Sequence, residues 1–140
     1  VELNEPLRQL IASGPLAHLV TLNEDGSPQL SVIWIGLDGD EIVSGHMTRS
    51  QKVRNVERDP RVVLSMEAPR VPGVFLAEHA VLRGQARVVA GGAYELLSNL
   101  GRLYVGPEFV FPTQSGSAPG DGFVLRTTVG RVGGVGPWAG

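Results

Sequence analysis

Short apolar runs broken by turn-forming residues govern what this chain can become. AHLVTLN (17–23) gives way to Glu24-Asp25-Gly26-Ser27, PQLSVIWIGL (28–37) to Asp38-Gly39-Asp40, and Glu41–His46 to a polar segment. Runs this short, rich in β-branched and aromatic residues, read as strands. Asp-Gly and Gly-Ser pairs between them supply the positive φ of hairpin turns. The first third is therefore predicted to be a β-meander. The 19 glycines and 10 prolines fit such strand-and-turn architecture.

The rest of the chain extends the pattern. Asn4-Glu5-Pro6 opens a short helix, with Asn4 as cap, Leu7, Leu10 and Ile11 as its apolar stripe, and Gly14 as its stop. A second helix is predicted over Ser50–Arg58, a strand over Val62–Ala68, and a turn over Pro69–Gly73. Val74–Val89 reads as a long strand with Gly84 at a bulge or bend. Tyr94, Leu97, Leu100 and Tyr104 recur at helical spacing, so a third helix covers about Gly92–Val105. Gly106–Gly120 reads as a loop, Phe123–Val132 as a last strand, and Gly133–Gly140 as a glycine-rich tail. Nothing repeats and no linker divides the chain, so residues 1–140 are expected to form one domain. Six or so mostly antiparallel strands with short peripheral helices give a mainly β (α+β) fold, a closed or split β-barrel. Val, Leu and Phe on the outward faces of its strands point to pairing of two copies through one face.

Composition narrows the function classes. A formal net charge of −2 disfavours a general nucleic-acid binder. No run approaches the length of a membrane span. The N-terminus lacks a basic-then-apolar signal pattern, and the chain has no cysteine. Both fit a cytoplasmic, reducing location and exclude thiolate chemistry.

The segment from Ser44 to Leu64, SGHMTRSQKVRNVERDPRVVL, carries the strongest chemical signal. It holds the only lysine, Lys52, and four of the eleven arginines. A strand ends in Ser44-Gly45-His46. Thr48-Arg49-Ser50-Gln51-Lys52 follows, at the start of a helix that stops at Asp59-Pro60. Helix N-termini offer unpaired N–H groups and partial positive charge, and a lysine adds a point charge suited to phosphate. Glu57, Arg58 and Asp59 read as a solvated helix face.

Other motifs are weaker. His18, His46 and His79 lack the short ligand spacing of a zinc site, so no metal is expected. There is no G-x-S-x-G elbow and no P-loop. Gly134-Val135-Gly136-Pro137-Trp138-Ala139 mimics a dinucleotide fingerprint, but Pro137 and the following residues leave no room for its helix. The carboxylates Glu24-Asp25 and Asp38/Asp40 sit in predicted turns and read as turn chemistry.

Gly26-Ser27-Pro28-Gln29-Leu30-Ser31, then Asp40-Glu41-Ile42-Val43, then Lys52-Val53-Arg54-Asn55-Val56 and Asp59-Pro60-Arg61-Val62 occur in this order and spacing. In this series the chain resembles the pyridoxamine-phosphate-oxidase-like split barrels that bind flavins. It is most similar to their actinobacterial branch that uses the deazaflavin coenzyme F420. The match is good over about residues 15–90. The resemblance implies an FMN-binding-like split barrel and a homodimer with two cofactors at the subunit interface. It implies that Thr48, Arg49, Ser50 and Lys52 line the cofactor's phosphate and sugar chain, and that Gln29, Ser31, His46 and Met47 flank its rings. It further implies an oxidoreductase that passes a hydride from reduced F420 to an electron-poor small molecule. FMN in the same barrel, or cofactor binding without catalysis, are the alternatives. The arginine- and histidine-bearing C-terminal signature of the true pyridoxamine phosphate oxidases is not found here. No side chain is assigned as catalytic. His46, Tyr94, Tyr104 and solvent are the possible proton sources.

Overall fold

The structure is a computed structural model that describes residues 1–112 and 121–139. Three helices, α1 (Glu5–Ala12), α2 (Gln51–Arg58) and α3 (Ala93–Tyr104), surround seven strands. The strands are β1 (Ala17–Leu22), β2 (Pro28–Ile33), β3 (Gly36–Asp38), β4 (Glu41–His46), β5 (Arg61–Glu67), β6 (His79–Ala90) and β7 (Phe123–Val135). They form one sheet in the order β2-β1-β5-β6-β7-β4-β3, and every pairing is antiparallel.

That order forces the sheet to curl. β2 and β3 are its two edges, yet only Trp34 and Ile35 separate them in the chain. Seven strands laid flat would span about 29 Å at about 4.8 Å per neighbour. A link of two residues reaches only about 11 Å between flanking Cα atoms. The edges therefore come close without pairing, which is the geometry of a split barrel.

The core follows from strand alternation. Ala17, Leu19 and Thr21 of β1, and Val62, Leu64 and Met66 of β5, point inward. Leu82 and Ala86 of β6 and Leu125 and Val129 of β7 join them. Leu7, Leu10 and Ile11 of α1 reach the same core. Asn4 Oδ1 caps this helix by accepting from Leu7 N at 3.1 Å, as the sequence pattern requires.

Four expectations change in detail. The predicted strand 28–37 breaks at Trp34-Ile35, so β2 and β3 lie at opposite edges and the meander is split into two hairpins. Trp34 leaves the ladder because its ring stacks on Tyr104, with centroids 5.5 Å apart. The predicted strand 74–89 begins only at His79, because Val74–Glu78 runs as an exposed loop. The last strand runs on to Val135, pairing Gly133 and Gly134 with Val81 and Ala80. The tail beyond it is anchored by Trp138, which is buried and donates from Nε1 to His79 O at 2.8 Å. Gly84 does mark a bulge: the register of β6 against β7 shifts between Arg83 and Gly84. A Cβ there would lie 2.3 Å from Thr128 O, so only glycine fits. Of the predicted loop 106–120 and the tail, residues 113–120 and 140 lie outside the described residues.

Candidate anion and ring site around α2

β4 ends at His46 and α2 begins at Gln51, so Met47–Ser50 forms the strand-to-helix connection predicted from sequence. Val53, Asn55 and Val56 bury one face of α2. Ser50 is its N-cap by backbone geometry, yet its side chain makes no capping hydrogen bond. The first intrahelical bond is Arg54 N to Ser50 O at 3.0 Å, so the N–H groups of the first turn have no acceptor within the helix. Ser50 Oγ itself is buried and has no partner among the described residues. A buried hydroxyl without a partner is costly and marks a place where a ligand atom would fit.

Lys52 stands beside it, half-buried. Among the described residues no carboxylate lies within ion-pair distance of it, whereas Arg8, Arg49, Arg61, Arg87 and Arg126 all have one. Burial holds the Lys52 ammonium below the usual lysine range. An ammonium that is partly desolvated and unneutralised favours an incoming anion. Hydroxyl, free N–H groups and ammonium thus form a donor set suited to a phosphate.

His46 lies behind this cradle. It is buried, and its Nε2 is 2.8 Å from Ser44 Oγ. Burial, with a smaller contribution from the charge of Lys52, depresses its pKa to about 4. The imidazole is therefore neutral at pH 7. Met47 is half-buried, and Thr48 and Arg49 are exposed. Arg49 turns its Nε to Glu57 Oε1 at 2.7 Å, away from a free role. Arg54 is also engaged, donating to Arg49 O at 2.6 Å and Gln51 Oε1 at 2.8 Å.

Gln29 and Ser31 come from β2, on its half-buried side, while Leu30 and Val32 alternate outward. Gln29 Nε2 donates to Ser31 Oγ at 3.1 Å. Gln29 Oε1 accepts from Thr21 Oγ1 at 3.3 Å, across the β1–β2 pair that sets these residues opposite each other. Thr21 Oγ1 in turn accepts from Asn55 Nδ2 at 3.0 Å. Gln29 and Ser31 are thereby joined to α2 through side chains, whereas the side-chain hydrogen bond of His46 is to Ser44 on its own strand.

Thr21 and Asn55 were missed as site residues by sequence reasoning. The signal for Asn55 was its position: a poor helix former between Val53 and Val56, on the apolar side of a short helix. Arg58, read as solvated, instead donates to Leu22 O and, at 3.4 Å, to Asn55 Oδ1. It ties the end of α2 to β1 because the helix turns back over that strand. Of the carboxylates expected to serve turns, Asp25 does so, whereas Asp38 ends β3 and, like Asp40, serves a long-range ion pair. Asp25 accepts from Ser27 N at 2.9 Å, and Asp40 and Asp38 pair with Arg8 and Arg126.

The two tyrosines have structural partners. Tyr104 Oη donates to Pro15 O at 2.6 Å and accepts from Ile35 N at 3.1 Å. Burial raises its pKa. Tyr94 Oη donates to Phe111 O at 3.1 Å.

Comparison with known proteins follows the fold. The profile of a family described as pyridoxamine 5'-phosphate oxidase matches residues 3–136. No curated protein sequence matches. Among solved structures, one described as an F420 reductase superimposes with a TM-score of 0.72 at 24% identity, covering 90% of this chain and 94% of that one. A conserved hypothetical protein from Mycobacterium tuberculosis gives 0.69 at 21% identity, covering 94% of this chain and 83% of that one. A heme binding protein from Mycobacterium smegmatis gives 0.67 at 25% identity, with 94% of this chain matching 53% of that one.

Proposed function

The chain belongs to the pyridoxamine 5'-phosphate oxidase family, and from that premise we propose that it is an oxidoreductase using reduced coenzyme F420 to reduce an electron-poor organic acceptor. One observation carries this reading: among the described residues the half-buried Lys52 has no carboxylate within ion-pair distance, and two positions before it, at the open start of α2, the buried Ser50 Oγ has no partner. These groups would hold the cofactor's phosphate by charge-assisted hydrogen bonds. Gln29 and Ser31 would meet one polar edge of the rings, with His46 and Met47 at the other side. Thr48 and Arg49 would lie along the sugar-like chain.

The bound deazaflavin supplies the hydride; the protein supplies binding, orientation and electrostatics. Neutral His46, hydrogen-bonded to Ser44, keeps the ring side of the site uncharged at pH 7. Tyr94 and Tyr104 have phenols already bonded to backbone carbonyls, so solvent is the proton source we favour.

The site is also proposed to lie at the contact of two copies in a homodimer. Leu30, Val20, Val63 and Arg83 form one cross-strand row on the outer face of the sheet, and Val32, His18, Ser65 and Val81 the next, so the β2–β1 end of this face is its apolar part. Leu30 and Val32 are 60% and 56% exposed. An antiparallel sheet facing only water carries polar residues there. No helix among the described residues is long and apolar enough to cross a membrane.

FMN is the second reading, and the engagement of Arg49 with Glu57 and of Arg54 with Gln51 favours it. The glutamate tail of F420 calls for positive charge beyond the phosphate pocket, and these arginines must release their partners to supply it. An absorbance spectrum of the purified protein, followed by separate titrations with F420 and FMN, decides between them. F420 binding with turnover of an acceptor supports the proposal. Tight stoichiometric FMN without F420 binding replaces it, and binding without turnover of any acceptor leaves only a cofactor carrier.

A further inference from the structure

Asn55 is fully buried, and both ends of its amide are engaged. Nδ2 donates to Thr21 Oγ1 at 3.0 Å and to Asn23 Oδ1 at 2.9 Å. Oδ1 accepts from Gln51 Nε2 at 2.7 Å and from Arg58 Nη1 at 3.4 Å. The orientation of the amide is fixed from both sides. Arg58 can only donate, so Oδ1 faces it. Asn23 uses its own Nδ2 on Ser27 Oγ at 3.1 Å, so its oxygen faces Asn55.

This fixed amide gives a direction to the polar chain that leads to β2. Thr21 Oγ1 accepts from Asn55 Nδ2 and donates its own hydroxyl hydrogen to Gln29 Oε1. With its oxygen facing Thr21, Gln29 turns its Nε2 toward Ser31 Oγ. Ser31 accepts there, which leaves its hydroxyl hydrogen free to be donated. Ser31 Oγ also reaches Gln29 Oε1, at 3.4 Å, a long bond that yields to a better-placed acceptor. The other end of the amide holds Gln51, in the first turn of α2 that opens onto Ser50 and Lys52.

We propose that Asn55 is the positioning residue of this site: it touches no ligand, but through Thr21 and Gln29 it makes Ser31 a hydrogen-bond donor toward the cofactor ring, while tying that strand to the anion-binding start of α2. The inference rests on the cofactor reading given above. It assigns Ser31 the part of donor to an acceptor atom on the ring edge, such as a ring carbonyl or nitrogen. Both F420 and FMN present such atoms, so the inference is common to the two.

The test is a set of three double-mutant cycles read by equilibrium titration with F420 and, separately, FMN. In the wild-type background, Ser31→Ala should weaken binding about tenfold. In an Asn55→Asp background, whose carboxylate cannot donate to Thr21, the same Ser31→Ala change should cost less than about twofold. Thr21→Val cuts the chain one link later and leaves the bonds of Asn55 to Asn23, Gln51 and Arg58 in place. It should abolish the Ser31 effect in the same way, and it serves if the Asp variant does not fold. Lys52→Ala should keep its full effect in the Thr21→Val background, since a general loosening of the site would reduce both. An undiminished Ser31 effect in the Thr21→Val background overturns the positioning role while leaving the cofactor reading intact. Absence of any F420 or FMN binding by the wild-type protein overturns that reading, and the inference with it.

Discussion

Ser44 Oγ and His46 Nε2 lie 2.8 Å apart inside the protein, two residues apart on one face of β4. Both are buried, and the imidazole is neutral because burial and the nearby Lys52 charge hold its pKa at about 4 against an ordinary 6.5. Above about pH 6.5 the ring is uncharged in the folded and the unfolded chain alike, so it adds no pH dependence there. Between about 6.5 and about 4 the unfolded chain takes up a proton that the folded one refuses. Stability should therefore fall with falling pH across that window, by roughly 3 kcal/mol in all. His46→Gln should flatten this part of the profile. Urea denaturation of both proteins between pH 4 and 7 checks it, and parallel profiles would contradict it.

Lys52→Ala should weaken cofactor binding about ten- to a hundredfold, the equivalent of losing a charge-assisted contact of roughly 1.5–3 kcal/mol. The fold should survive, because Lys52 is half-exposed and has no ion-pair partner among the described residues. Arg58 is unsuitable as the control, since it braces Leu22 O and Asn55. Arg70, exposed in the connection after β5, is the better one, and Arg70→Ala should leave affinity unchanged. Titration of both variants, with thermal melts as a check on folding, measures the contrast.

Arg49 holds Glu57 at 2.7 Å, with the arginine side chain 58% exposed. Such a pair is weak and yields readily to a stronger anion. If the polyglutamate tail of F420 takes the place of Glu57, F420 affinity should fall steeply with ionic strength, and more steeply for longer tails. Glu57→Gln should raise F420 affinity severalfold and leave FMN affinity nearly unchanged. Equal salt slopes for the two cofactors would remove the arginine trail from the explanation.

The protein should be a dimer at micromolar concentration, and Val32→Asp should make it a monomer. Val32 is 56% exposed at the margin of the apolar outer face, so an aspartate there costs the single chain little but places an unpaired charge in the contact. Sedimentation equilibrium of both proteins gives the answer. A wild-type monomer of 14.9 kDa over a wide concentration range would reject the shared site.

Tyr104→Phe should lower stability by roughly 1–3 kcal/mol, because it leaves Ile35 N without the phenol oxygen it reaches at 3.1 Å. Ring stacking on Trp34 should persist. The turnover number with any active acceptor should stay within about twofold of wild type when assayed below the melting transition. A large loss of turnover without loss of stability would make Tyr104 a proton donor after all.

Local sequence determined most of the elements and the helix start proposed to hold a phosphate. Asn4 capped α1, the Asp-Gly turn closed the β1–β2 hairpin, and Gly84 marked a bulge, because each is fixed by backbone chemistry within a few residues. The placement of Ser50 and Lys52 at a helix start was legible for the same reason, since Asp59-Pro60 and the strand end at His46 bound α2 locally. Residues far apart in the chain settled the rest. Trp34 breaks a strand because it meets Tyr104, and the glycine-rich tail becomes strand because it finds β6. Asn55 acquires its meaning only when α2 folds back onto β1 and sets its amide against Thr21, 34 residues away. A buried amide has a direction only once its partners surround it. The sequence could place the residue on α2, but only the tertiary structure could supply what it faces.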